Sequence, residues 1–182
     1  GGSIQTGPFG SQLHASDYSD EGTPVVMPSN IVNYRVSTAG IARIAQEHVE
    51  RLSHHRLNVG DIVFSRRGDV TRYAFIRQRE AGWLCGTGCI RIRVGHGPLV
   101  APEYLSYALA TPEVKEWLTR HAVGATMLNL NASILSSLPI RVPPLQLQIG
   151  IVKLLSGLDA RVDVFEENNL TLESIAQAVF KS

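Results

Sequence analysis

The chain has 182 residues, 44% hydrophobic and 18% charged, with a formal net charge of +1. Those totals suit one domain plus an extension and exclude a disordered polyelectrolyte. No run of 18 apolar residues occurs and no signal peptide is visible, which argues against a membrane span or export. Gly1-Gly2-Ser3 reads like a scar or a truncation point rather than a native start.

The charge is unevenly placed. Residues 1–100 hold eleven arginines and no lysine against eight acids, a net +3, whereas residues 101–182 hold six bases and eight acids, a net −2. Arginine offers a planar fork suited to phosphates and guanine edges, so the first part hints at nucleic acid. Ordinary surface arginine is the competing reading.

Residues 4–34 are rich in Gly, Pro, Ser and Asp and read as mostly loop, with one short strand over 24–27. A loop that long is more often functional than idle. Asn30 and Asn33 suit base-edge hydrogen bonds or turn termination, and taken singly each favours the turn. Residues 46–58 read as a short polar helix or turn carrying His48, His54 and His55. Adjacent histidines do not share a helix face, so they are expected at the surface and not on a metal.

The sharpest local pattern is Val59-Gly60-Asp61-Ile62-Val63-Phe64-Ser65-Arg66-Arg67-Gly68-Asp69-Val70. A Gly-Asp turn leads into an apolar strand and then into a loop with two arginines and a glycine that permits close backbone approach. A strand over 73–77 is expected to return antiparallel. Cys85 and Cys89 lie four apart with no further ligands at metal-site spacing and read as buried free thiols in a reducing cytoplasm. A strand over 89–94 alternates Ile90, Ile92 and Val94 with Arg91 and Arg93, predicting one buried face and one arginine face.

Pro102 and Thr111-Pro112-Glu113 start two helical segments within 102–121. Residues 123–131 read as a loop, 133–137 as a turn of helix, and 140–142 as a last strand before Pro143 and Pro144. Beyond those prolines Ile151, Leu155, Leu158, Val162, Phe165, Asn169, Leu172, Ala176 and Val179 recur at alternating steps of 4 and 3. That heptad seam predicts a helix over 145–180, roughly 50 Å long, that packs along another helix, with Asn169 able to set register or orientation. An ordinary amphipathic terminal helix is the plainer alternative.

Several of these pieces recur together as a recognisable set: Thr6-Gly7-Pro8-Phe9-Gly10-Ser11-Gln12-Leu13, Gly22-Thr23-Pro24-Val25-Val26, and Val59 through Gly68. Gly124-Ala125-Thr126, Asn129-Leu130-Asn131, Leu138-Pro139-Ile140-Arg141-Val142-Pro143-Pro144-Leu145, Gln148, and the helix ending Ala178-Val179-Phe180-Lys181 follow. In this order they resemble the specificity (S) subunits of type I restriction–modification systems over nearly the whole chain. The resemblance implies an α+β fold: a mixed or antiparallel β-rich target recognition domain at 1–142, and a long coiled-coil helix at 143–182. A full subunit of that family carries two such units. Their helices pack antiparallel and space two half-sites of a bipartite DNA sequence. Methylation and cleavage belong to partner methyltransferase and restriction subunits, which bring S-adenosylmethionine and ATP, so no cofactor is expected on this chain.

The chain departs from that pattern in having one unit, in Leu147 standing where a Glu usually precedes Gln148, and in a short segment before Thr6. It is thus a fragment, or a half-length subunit that pairs with itself. The expected DNA contacts are Arg66, Arg67 and Arg72, then Arg91 and Arg93, then Asn30, Gly124 and Thr126. Three rivals carry less: an assembly module that recruits protein through the helix without DNA, an enzyme with Cys85 or Cys89 as nucleophile and His96 or His121 as base, and a regulator with a helix-turn-helix, of which no good example is seen.

Overall fold

A computed structural model of the chain describes residues 2–95, 97 and 99–180, apart from the side chains of Glu166 and Glu167. His96 therefore lies outside the described residues. Ten strands and five α-helices occur among the described residues. The first six strands are β1 (Ser3–Thr6), β2 (Tyr18–Ser19), β3 (Thr23–Val26), β4 (Ile31–Val32), β5 (Arg35–Val36) and β6 (Arg43–Ile44). After α1 (Gln46–Arg51) come β7 (Ile62–Ser65), β8 (Tyr73–Phe75), β9 (Leu84–Cys85) and β10 (Cys89–Arg93). The helices α2 (Pro102–Leu109), α3 (Pro112–His121), α4 (Ala132–Ser136) and α5 (Leu145–Phe180) complete the chain.

Strand β7 is buried at all four positions, as an Ile-Val-Phe-Ser run in a sheet interior should be. It lies inside an antiparallel sheet of order β1-β10-β7-β8. Its alternate side chains feed two cores. Ile62 and Phe64 join Ile90, Leu109, Leu118 and Leu135 on the side covered by α2, α3 and α4. Val63 joins Val26, Ile31, Leu57, Ala74 and Cys89 on the other. A second sheet, β2-β6-β3-β9, is antiparallel except for the β3–β9 pair, and packs with Val49 and Leu52 in a third cluster. The fold is the α+β, mixed-sheet class expected.

The structure corrects several local expectations. Residues 4–6, read as loop, belong with Ser3 to the edge strand β1, in register with β10. Residues 140–142, read as a strand, have no regular structure. Ile140 instead packs on the first core and the Arg141 carbonyl accepts the Tyr104 hydroxyl at 2.9 Å. His55, expected at the surface, is 4% exposed, and burial pulls its pKa down to about 4.

Proline and side-chain caps punctuate the helices. Pro102 and Pro112 occupy the first turns of α2 and α3, where a missing N–H costs nothing. Asn131 caps α4 by accepting the Ile134 amide at 2.9 Å. The chain divides into two units, Gly1–Val142 and Pro143–Ser182. In the second, α5 runs unbroken for 36 residues. The Pro144 carbonyl opens it by accepting the amides of Leu147 and Gln148, while the Gln148 side chain donates to the Pro143 carbonyl at 2.8 Å.

Candidate nucleic-acid interface

Beyond β7 the chain turns through Arg66-Arg67-Gly68. Ser65 closes the loop: its amide donates to the Arg72 carbonyl at 2.9 Å and its hydroxyl to the Arg67 carbonyl at 2.8 Å. Gly68 has φ +76° with open space where a side chain would stand, so the backbone angle is what requires glycine there. The loop is stitched to 123–130 through Gly68 N to Leu128 O (3.0 Å) and Leu130 N to Arg66 O (2.8 Å), and the 123–130 loop is itself closed by Val123 N to Asn129 O (3.0 Å). At Gly124, φ +132°, an added Cβ would meet the Met127 carbonyl oxygen at 2.1 Å, so that turn also needs glycine.

Three motifs distant in sequence thereby meet. The Arg66 Nε donates to Asn129 Oδ1 at 3.2 Å, and its guanidinium stands 5.4 Å from the centroid of the half-exposed Phe9 ring. Arg67, Gly124 and Thr126 are exposed on the same stitched loops, and the Arg67 side chain makes no hydrogen bond or ion pair among the described residues. Phe9 and Asn129 were absent from the expected contacts, although both lie in the motifs that carry the family resemblance.

The other expected contacts are consumed by folding. Arg91 is 4% exposed; its Nη1 donates to the carbonyls of Arg56 (2.9 Å) and His54 (3.3 Å), and its Nη2 to Gln5 Oε1 (2.6 Å). Burial lowers its pKa and the neighbouring Arg93 adds to that. Arg93 holds the buried Asp61 in a two-pronged pair, Nε to Oδ1 at 2.7 Å and Nη2 to Oδ2 at 2.6 Å, which raises the Arg93 pKa. The supposed arginine face of β10 is therefore largely covered by the 54–61 segment, with Arg91 buried and Arg93 partly exposed. Arg72 donates to the carbonyls of Pro28 (3.0 Å) and Ile31 and braces the β4 segment. Asn30 is buried, accepting the Met27 amide at 3.1 Å and so terminating its own turn.

Cys85 and Cys89 are buried free thiols. Burial pushes the Cys85 pKa up to about 12 and that of Cys89 well above its ordinary value, so neither is poised as a nucleophile. Among the described residues no group of three or more potential metal ligands occurs, and no helix is long and apolar enough to cross a membrane.

On α5 the seam is largely uncovered. Leu158 is 50% exposed and Phe165 66%; Val162, Leu172 and Val179 are exposed, as are Asn169 and Ala176, while Ile151 and Leu155 are half-buried. Off the seam Leu154, Leu170 and Ile175 are exposed too, so the apolar surface is wider than one stripe.

The family model described as "Type I restriction modification DNA specificity domain" matches residues 10–174. The chain is 29% identical over 126 residues to the type I restriction enzyme HindI specificity subunit of Haemophilus influenzae, covering 68% of this chain and 27% of that protein. Among solved structures, the S subunit of a type I restriction–modification system from M. genitalium aligns with a TM-score of 0.62 at 18% identity, covering 89% of this chain and 37% of that one. The HsdS subunit of Thermoanaerobacter tengcongensis aligns at 0.56 and 19% identity, over 91% of this chain and 37% of that one. These likenesses show the shared fold, and the chain spans well under half the length of each relative.

Proposed function

Because the chain belongs to the family of type I restriction–modification DNA specificity domains, we propose that residues 1–142 read one half of a bipartite DNA site and that 143–182 form a spacer helix pairing with a second such helix. The chain is non-catalytic in this reading. It acts in the cytoplasm, docks methyltransferase subunits and through them a restriction subunit, and leaves S-adenosylmethionine and ATP to those partners.

The observation that carries the proposal is the pair of stitched loops at 66–68 and 123–130. They hold Arg67 at the surface with no side-chain partner among the described residues, next in sequence to Arg66, which contacts Phe9. Such a loop supplies phosphate contacts that set position, to which base-edge contacts add specificity. Titrating labelled duplex at several salt concentrations tests it. Arg67→Ala should weaken all sequences alike and reduce the slope of log K against log salt by about 0.9; an unchanged slope removes Arg67 from the interface.

The uncovered seam supports pairing, since apolar surface at heptad spacing gains by burial against a like helix. Light scattering at two concentrations, with Leu158→Glu as control, reads this. A dimer abolished by the substitution supports a self-pairing half-length subunit. A monomer points to a different helix as partner, and to weak DNA binding by the chain alone, because the second contact would no longer be intramolecular. Retained pairing with no affinity for duplex DNA at low salt would instead favour the assembly-module reading.

A further inference from the structure

The strands β4 and β5 form a two-residue hairpin whose turn is Asn33-Tyr34. Both have positive φ, 47° and 63°, the backbone that a twist-matched hairpin turn requires. Asn adopts it readily and Gly would suit the second position; a tyrosine there is out of place on local grounds. Strained positions persist where surrounding contacts over-determine them, and they concentrate at binding sites. Tyr34 is held in this way. Its ring lies 5.0 Å from that of Tyr73, its hydroxyl accepts from Lys115 Nζ at 2.7 Å, and its carbonyl accepts the Phe75 amide at 3.2 Å. Arg72 fixes the other end of the hairpin through the Ile31 carbonyl.

This bracing presents Asn33 outward. Its side chain is exposed and makes no hydrogen bond among the described residues, unlike that of Asn30. Beside it a cleft of about 440 Å³ is lined by Tyr34, Asp69, Thr71, Arg72 and Lys115. Asp69 and Thr71 belong to the segment that follows Arg66 and Arg67, so the hairpin tip adjoins the proposed phosphate-contacting loop. The Asp69 carboxylate is oriented within its own turn, its Oδ1 accepting both the amide (3.0 Å) and the hydroxyl (2.7 Å) of Thr71.

We infer that the β4–β5 hairpin tip is a base-reading element of this chain, with the Asn33 amide paired to an adenine edge in the major groove and Tyr34 and Lys115 as positioning residues. An asparagine amide matches adenine in both senses, its oxygen accepting from N6 and its nitrogen donating to N7. A rigid two-strand ribbon fits the width of that groove. The inference rests on the DNA-reading function proposed above.

The test uses the full chain and a randomised duplex pool. The wild-type chain selects a preferred duplex, and anisotropy then compares that duplex with a scrambled one. Asn33→Gly suits the turn and removes only the side chain, so the thermal midpoint and the scrambled-duplex affinity should stay as in wild type. Affinity for the selected duplex should fall about tenfold or more, and reselection should lose adenine at one position. Asn33→Asp, an acceptor only, should lose the same adenine preference. Lys115→Met should blur the preference at that position with folding retained. If Asn33→Gly selects the same sequence with the same affinity, the hairpin is no reader, although the chain still is one. If the wild-type chain enriches no sequence, and Arg67→Ala leaves duplex binding unchanged, the proposed function and this inference fail together.

Discussion

Two pairs of arginines in this chain sit in similar local sequence and meet opposite fates. Arg66 and Arg67 leave the end of β7; Arg91 and Arg93 alternate along β10, its direct neighbour in the sheet. On β10 the guanidiniums turn inward and meet backbone carbonyls, Gln5 and the Asp61 carboxylate. Past β7 they stand on a loop hydrogen-bonded to 123–130, where Arg66 donates to Asn129 Oδ1 and the exposed Arg67 side chain has no hydrogen bond or ion pair among the described residues. The difference teaches that an arginine's availability depends on what covers its strand and not on its sequence spacing. Arginine charge in the first hundred residues is partly structural, and a count of it overstates the basic surface.

The largest expected effect is on the inward pair. Asp61→Ala leaves Arg93 without its carboxylate and Arg91 with less compensating charge. It should destabilise the domain by about 3–5 kcal/mol, read from denaturant unfolding. Survival within about 0.5 kcal/mol would mean that the fork is incidental.

Burial, with His54 beside it and Arg91 near, holds His55 neutral, with a pKa of about 4 against an ordinary 6.5. Between those values the unfolded chain binds the extra proton. Stability is therefore fully present above about pH 6.5 and falls as pH drops toward 4, by at most about 3 kcal/mol. Unfolding midpoints measured from pH 7.5 to 4 should show that decline, and His55→Phe should flatten it.

On the outward side the effects are smaller. Gly124→Ala forces a Cβ toward the Met127 carbonyl at a positive φ, and should cost about 1–3 kcal/mol in the same unfolding assay. Arg67→Ala should change stability by less than about 0.5 kcal/mol while still lowering the salt slope of DNA binding. A large stability loss at Arg67 would erase the contrast between the two pairs.

Much of the architecture was legible in the sequence because its causes are local. Pro102, Pro112 and the Pro143-Pro144 pair mark helix starts through a missing N–H, and the structure begins helices there. The 4-and-3 spacing after Ile151 is a property of one helix and needs no partner to be read. The antiparallel return of β8 against β7 and the inertness of the two cysteines were equally accessible. The two-residue strands β2, β4, β5, β6 and β9 were not, because an alternation of period two cannot show itself over two residues. The β4–β5 hairpin was hidden further by Tyr34, which stands where the turn signal leads one to look for glycine.

Sequence alone determined the proline-marked helix starts, the long helix over 145–180 and the spacing of its seam, all set by interactions within a few residues. The tertiary structure decided which polar groups remain for function. Arg91 is buried because the 54–61 segment crosses its face, and Arg72 and Asn30 are spent on carbonyls and amides that had to be satisfied once buried. Arg67 and Asn33 are left over because the backbone around each is already paired, by 123–130 in one case and by the strand pair and Tyr34 in the other. That accounting depends on residues up to 86 positions apart, as between Gln5 and Arg91, and no local pattern carries it.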